Sequence, residues 1–467
     1  MSNNPTSSLG ASAARNLATA TVTVPQNLER TPRWLLRLLP WVDVDGGVFR
    51  VNRRRRIVHP PGLVHVAVGS KSAGVEAKHL RTVPIFSGLD HDGLEAIAGS
   101  LVEARYGVGE IIAEGDAAKK FFLVGKGAVE VTTVSPYGNK VREGLYGEGN
   151  FFGGERLLGD AAAPAVVKSL TDSVLLVLDR SKLEALHPGV RETISKSHEQ
   201  LAGAREHADA YGESKIDLLS SHRGAPKLPT AFVDYDDEPR EYHLSTIQTI
   251  LQTHTRVTDL YSNQIDQLRE QVRLTVDAVK EREEWELINN PEFGLLHEVK
   301  PGYRIPTRSG PPTPDDLDEL LTLVWKKPAF FLAHPKAIAA FAREATRRGV
   351  PPVIVHLFGS PFITWRGVPL VPSDKLEING HSAYEDAVGT TSILLLRVGE
   401  ADQGVVGLQK AGVTGEVEPG LSVRYMGTND HSIASHLVTR YFSASVLIDD
   451  AIARLDNVQV GRYHEYV

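Results

Sequence analysis

The sequence has no cysteine, which removes disulfides, thiolate metal sites and cysteine nucleophiles at once and suits a reducing compartment. It also lacks long apolar runs. No stretch reaches the ~20 apolar residues that a membrane helix needs, and the segment Trp34–Trp41 is short and broken by Arg37. The first thirty residues lack the basic start, apolar middle and small-residue exit of a signal peptide. A soluble, cytoplasmic protein without membrane contact is expected. Excess positive charge is missing too: the net charge is −7, so the whole chain does not bind nucleic acid by electrostatics. No GxxxxGK[ST] loop, HExxH helix or GxSxG elbow occurs. Gly147, Gly149 and Gly153 are wrongly spaced for a dinucleotide fingerprint and sit among β-runs. No catalytic residue, no metal ligand and no enzymatic activity are expected.

What is present is ordinary globular material, 42% hydrophobic and 23% charged over 467 residues, enough for about three domains. Residues 1–56 read as an arm, with a Ser/Ala/Thr-rich piece predicted helical from Ala11 to Ala20 and the basic run Arg53–Arg56 at its end. Four arginines in a row are read as a solvated loop in preference to a polyanion site; in an assembly they could instead meet a neighbour's acidic surface. Residues 57–228 form a second region with a core at about 82–212. Short β-runs (Glu110–Ala113, Phe121–Val124, Ala128–Val134, Val166–Leu178) alternate with glycine turns, which argues a β sandwich or jelly roll. A helix from about Ser181 to Ala210 follows, then a Gly/Pro-containing linker. Residues 229–467 are α+β without regular βαβ alternation. Leu244, Ile247, Leu251, His254 and Val257 recur at helical spacing, with His254 read as a packed core residue, and so do Leu268, Val272, Val276 and Val279. Thr313-Pro314-Asp315-Asp316 is a helix start, with a capping threonine, a first-turn proline and acids at the dipole's positive end. The acidic group Asp315, Asp316, Asp318 and Glu319 is therefore assigned to that helix rather than to a magnesium site. A helix from Pro335 to Arg348, four strands, and a helix from His431 to Leu447 complete the reading.

Four runs in the middle region carry a resemblance to the cyclic-nucleotide-binding domain family: Val83–Leu89, Tyr106–Asp116, Phe121–Gly127 and Gly149–Glu155. The last looks like the start of the family's phosphate-binding cassette. Glycines there expose backbone N–H groups to a cyclic phosphate. The resemblance makes Gly153, Gly154, Glu155, Arg156, Pro164 and Ala165 the candidate nucleotide contacts, with Glu155 accepting from the ribose 2′-hydroxyl. The family's phosphate-pairing arginine is replaced by Ala163, although Arg156 is nearby. Cyclic AMP or cyclic GMP is the implied ligand class, and weak or no binding is expected, so no cofactor is assigned.

The flanks resemble family 2 encapsulin shell proteins. The runs that carry this are Val24–Gln26, Thr31–Leu39, Phe49–Asn52, Phe232–Tyr235, Pro239–Tyr242, Arg256–Tyr261, Pro311–Leu321, Pro328–Ala340, Phe358–Leu370, Leu394–Val406, Gly420–Gly427 and Asp450–Gly461. The insert points to the 2B type. The resemblance implies a Hong Kong 97 phage-capsid-like fold carrying an inserted β jelly-roll cyclic-nucleotide-binding-like domain. The insert would lie where the arm passes into the extended loop, and a spine helix would be drawn from Leu244–Asn289. It also implies a homo-oligomeric icosahedral shell of about 60 copies around a cargo enzyme, a terpene cyclase first and a cysteine desulfurase second. The competing reading is a cyclic-nucleotide-responsive transcriptional regulator, which needs a DNA-reading helix and a basic face. Apolar arm residues Trp34, Leu35, Leu38, Leu39 and Trp41 are expected to dock on a neighbouring copy.

Overall fold

The computed structural model describes Ala11 and residues 26–68, 73–115, 120–134, 138–154, 165–220, 227–254, 267–379 and 389–461. The predicted helix Ala11–Ala20, apart from Ala11 itself, lies outside these residues. The chain divides into two compact units. One combines the arm up to Arg33 with Leu244–Glu284 and Gln409–Phe442; the other combines Trp34–His243, Trp285–Leu408 and Ser443–Val467.

In the first unit the long helix is Gln267–Asn289, whose last five residues pass into the second unit. It ends at Asn289-Asn290-Pro291 as the sequence predicts, since proline cannot continue a helix. Two other predictions fail here. Ser245–His254 and Ile433–Val446 are strands, not helices. They pair with each other antiparallel from Ser245↔Phe442 to His254↔Ile433, and His254 is exposed. Ile433–Val446 also pairs with Leu421–Thr428. The helix lays Val276 and Val279 against Ile247, Leu421, Val423 and Val438. Glu283 and Arg440 form a buried ion pair at 2.7 Å across that contact. Burial pushes the Glu283 carboxyl up, and the Arg440 guanidinium opposes this. The arm is tied to the same helix by Thr31, which donates to Glu281 (2.8 Å), and by Arg33 on Asp277 (2.9 Å).

The second unit holds two cores. A seven-stranded sheet runs in the order Arg304–Pro306, Ile452–Val460, Gly389–Leu396, Phe330–Ala333, Val368–Pro372, Ser360–Trp365, Val353–Leu357. Helices Pro314–Leu323 and Pro335–Arg347 bury Leu317, Leu320, Ala337 and Phe341 against it. Thr313 and Asp316 form the expected capping box. The acidic cluster is spent on structure: Asp316 pairs with Arg308 (2.7 Å), Asp318 accepts from Trp365 Nε1 (2.7 Å), and Glu319 accepts from Arg142 (2.9 Å). Among the described residues no group of acids and histidines is arranged to hold a metal.

Residues within 66–206 form the other core. One four-stranded antiparallel sheet runs Phe151–Phe152, Lys120–Lys126, Ser173–Asp179, Val102–Tyr106; the second runs Ile111–Glu114, Ala165–Ser169, Val129–Val134, Lys140–Tyr146. Successive strand residues face opposite sides. Phe122 and Val124 therefore meet the second sheet, while Phe121 and Leu123 meet Ile85, Phe86, Leu94 and Ile97. Burial on both faces explains the unbroken Phe121–Val124 apolar run. The predicted helix Ser181–Ala210 is two helices, Arg180–Ala185 and Pro188–Glu206. Pro188 breaks the pattern and starts the second one, with His187 capping Gly189 N–H.

The arm helix Trp34–Leu38 buries Trp34 and Leu35 inside its own chain. The Trp34 ring packs edge-on to Phe362 at 5.1 Å, and the Trp41 indole fills the space over Gly407, where a Cβ would come within 2.7 Å of it. Trp34, Leu35 and Leu39 thus find partners within their own chain and do not lie bare on an extended arm, while Leu38 and Trp41 stay half-buried.

Candidate nucleotide cassette and the base of the insert

The cassette begins on a short strand. Phe151 and Phe152 pair with Leu123 and Phe122, and Gly149 N–H donates to the Val124 carbonyl at 2.8 Å. Gly153 has φ +85°, and a Cβ there would sit 2.1 Å from the Lys120 carbonyl oxygen. Gly154 faces Ile85 Cδ1, which a Cβ would approach to 2.9 Å. Gly153 is thus required by its positive φ and the close Lys120 backbone, whatever it does for a ligand, while Gly154 meets only the flexible end of Ile85. Ala165 starts the strand opposite Thr133 and packs in the apolar cluster with Phe122 and Phe152. Those two rings stack at 5.0 Å, with Tyr146 4.5 Å from Phe152. Glu155, Arg156 and Pro164, with Ala163, lie outside the described residues. The structure brings together Gly153 and Gly154 beside the Lys120–Lys126 strand and places Ala165 in the neighbouring sheet.

The insert leaves and re-enters the chain through a paired ribbon that sequence reasoning missed. Val48–Val51 runs antiparallel to Arg240–His243 in the register Val48↔His243 to Val51↔Arg240. Beyond them Asp236 N–H donates to the Arg53 carbonyl and Arg55 N–H to the Asp234 carbonyl, both at 2.9 Å, and Arg54 bridges Tyr235. Ile57 and Val58 N–H both reach the Gly212 carbonyl at the insert's far end. The two ends of the insert therefore lie side by side, the condition under which a domain insertion is tolerated.

The basic run Arg53–Arg56 is no solvated loop; it clamps this ribbon. Arg53 Nη1 binds Asp449 Oδ1 at 2.8 Å, and Arg56 Nη1 binds Asp449 Oδ2 at 2.5 Å. The Asp449 side chain is 3% exposed. Arg53 also donates to the carbonyls of Val446 (2.7 Å) and Leu447 (3.1 Å). Arg54 turns the other way, to Glu213 at 2.9 Å and the Ser214 carbonyl. On the returning strand, Tyr242 donates to Glu298 (3.0 Å) and accepts from Val446 N–H (3.3 Å), while Arg240 also pairs with Glu298. Burial, with Glu298 adding to it, pushes the Tyr242 hydroxyl up to about 12. A second seam joins insert and sheet: Arg142 reaches Glu319, and Gly147 lies so close to Pro306 that a Cβ would come within 2.9 Å of its ring. The doublet Asp449-Asp450 was the available sequence signal for the clamp. Asp450 holds buried Arg397 at 2.5 Å and Lys326 at 2.7 Å. Burial pushes its carboxyl up, but those two cations outweigh it and hold it below the usual range.

Comparison with known proteins assigns the two parts. The family model described as "Type 2A encapsulin shell protein SrpI-like" matches residues 201–462, and that described as "Cyclic nucleotide-binding domain" matches residues 109–187. The chain is similar to the Type 2A encapsulin shell protein SrpI of Synechococcus elongatus, 60% identical over 253 residues, covering 54% of this chain and 80% of the relative. It is also similar to the Type 2A encapsulin shell protein of Mycobacterium leprae, 58% identical over 239 residues, covering 51% and 75%. The cryo-electron microscopy structure of the holo-SrpI encapsulin complex from Synechococcus elongatus aligns over 98% of this chain and 99% of that one, with 38% identity and a TM-score of 0.57. These relatives are named as shell proteins, not as enzymes. The region where a regulator would carry its DNA-reading helix is the region that the shell family matches. The chain belongs to the Type 2A encapsulin shell protein SrpI-like family and carries a cyclic-nucleotide-binding domain inserted within it.

Proposed function

We propose that the chain is the structural subunit of a closed icosahedral nanocompartment that encloses a cargo enzyme in the cytoplasm. The end-to-end structural match to a shell protein in its assembled complex supports this reading most. The finer parts of the proposal are a Hong Kong 97-type capsid fold for residues 229–467 with the arm 1–56, a jelly-roll insert at 57–228, and about 60 copies per shell; the expected 2B kind rests on that insert alone, since the matching family and relatives carry the Type 2A name. The cargo is a terpene cyclase in preference to a cysteine desulfurase. Light scattering and negative-stain microscopy of the purified protein test the assembly, with a megadalton sphere expected. Mass spectrometry of proteins that co-purify with the native shell tests the cargo.

The insert is proposed to bind cyclic AMP or cyclic GMP weakly or not at all. Ala163 stands where the family pairs an arginine with phosphate, and losing such a charge-assisted bond costs about 1.5–3 kcal/mol. That is about one to two decades in affinity. Calorimetric titration with both nucleotides should give no low-micromolar binding. Tight binding that disappears in Glu155→Ala would overturn this and make the insert a working sensor.

A further inference from the structure

A cavity of about 640 Å³ opens beneath the ribbon, lined by Arg53, Arg54, Arg56, Tyr235, Lys300 and Asp449 among others. Its charges are unevenly spent. Asp449 is shared by two arginines, Arg53 and Arg56. Arg53 uses Nε and both terminal nitrogens on protein acceptors. Arg56 uses Nη1 alone, on Asp449. Lys300 is half-buried and has no hydrogen bond or ion pair among the described residues. Of three other carboxylates in the wall, Glu213 is taken by Arg54, and Asp236 and Glu400 form no ion pair with Lys300. Asp449 and Glu298 are near enough to favour its charge, but neither pairs with it directly, and an ammonium withdrawn from water without a bonded partner is costly. Here the cost shows as a lowered Lys300 pKa, from burial first and then from the neighbouring cation Arg240. The wall thus offers unspent N–H donors on two cations, set around a carboxylate that is already satisfied.

We propose that this cavity is a binding site for a phosphate-class oxyanion, a phosphate or pyrophosphate group, held by Lys300 and the free edge of the Arg56 guanidinium. Both cations line the cavity, and their donor chemistry suits such a ligand. A planar guanidinium presents paired donors to phosphate oxygens, and an ammonium adds a point charge. The site is separate from the nucleotide cassette and shares no residue with it. It sits where the insert joins the shell core, so an anion there would fasten the arginine clamp.

The test uses the full-length protein with inorganic phosphate and sodium pyrophosphate as probes, against sodium chloride at matched ionic strength. Calorimetry is expected to show one pyrophosphate per chain, with a rise in Tm that chloride does not give. Lys300→Gln should bind pyrophosphate at least tenfold more weakly. In anion-free buffer its Tm should equal or exceed that of the parent, because a repelled, unpaired cation has been removed. A parent protein that responds no more to pyrophosphate than to chloride overturns the proposal. So does a Lys300→Gln variant with undiminished binding. If Lys300→Gln folds but fails to assemble while pyrophosphate neither binds nor stabilises the parent, the lysine belongs to a contact between copies and the anion site is rejected.

Discussion

Asp449 is a single carboxylate holding two guanidiniums, and the consequence of removing it follows from where they sit. Its side chain is buried while the arginines keep about a fifth of their exposure. Breaking a buried pair leaves an uncompensated charge and costs about 3–5 kcal/mol. Residual solvent around Arg53 and Arg56, and the two carbonyls that Arg53 keeps, put Asp449→Ala at the lower end, about 3 kcal/mol. Urea unfolding followed by tryptophan fluorescence should show that loss, and Asp449→Asn should lose nearly as much because shape is kept and charge is not. A change under about 1 kcal/mol, the scale of an exposed ion pair, would mean that the clamp does not hold the ribbon. At this scale the sequence hid the answer. Four consecutive arginines say that charge is present, but not that Asp449, nearly four hundred residues away, receives two of them.

Among elements, the paired flanks Val48–Val51 and Arg240–His243 carry the clearest prediction. They are joined by backbone hydrogen bonds that do not involve the insert. Replacing residues 57–232 with a short flexible turn should leave a hairpin, and the remaining shell core should fold and assemble. Circular dichroism and particle sizing of the excised protein check this; an insoluble or unassembled product would show that the insert supplies part of the core. The legible and illegible elements divide on physical grounds. Thr313–Asp316 was readable because capping is local chemistry, and the Phe121–Val124 run because a strand buried on both faces is apolar throughout. Ser245–His254 was misread because its few large apolar residues fall three and four apart. Its three threonines and two isoleucines argued for a strand, but the partner that decides the matter, Ile433–Val446, had also been read as a helix. Each error removed the evidence against the other. The cassette's glycines were legible as a motif, yet Gly153 turns out to be dictated by the Lys120 backbone, a contact that no spacing announces.

At the scale of the whole molecule, a shell assembled from one kind of chain uses a few repeated contacts. The protein is therefore expected to elute as a single large species whose mass by light scattering is a fixed multiple of the 51.0 kDa chain. Monomers or dimers alone, across salt and pH, would sink the shell reading. Because the arm buries Trp34 and Leu35 against its own chain, arm truncation through residue 40 should weaken the subunit itself before it affects contacts between copies.

The zipped base of the insert has a practical consequence. Two strands paired in this way hold their chain ends about 5 Å apart, so any domain whose termini lie that close can be spliced between them without stretching the scaffold. Every subunit then carries the graft at the same point and in the same orientation. The ribbon is a ready-made socket, and the particle built from it would present whatever is plugged in at fixed stoichiometry and regular spacing.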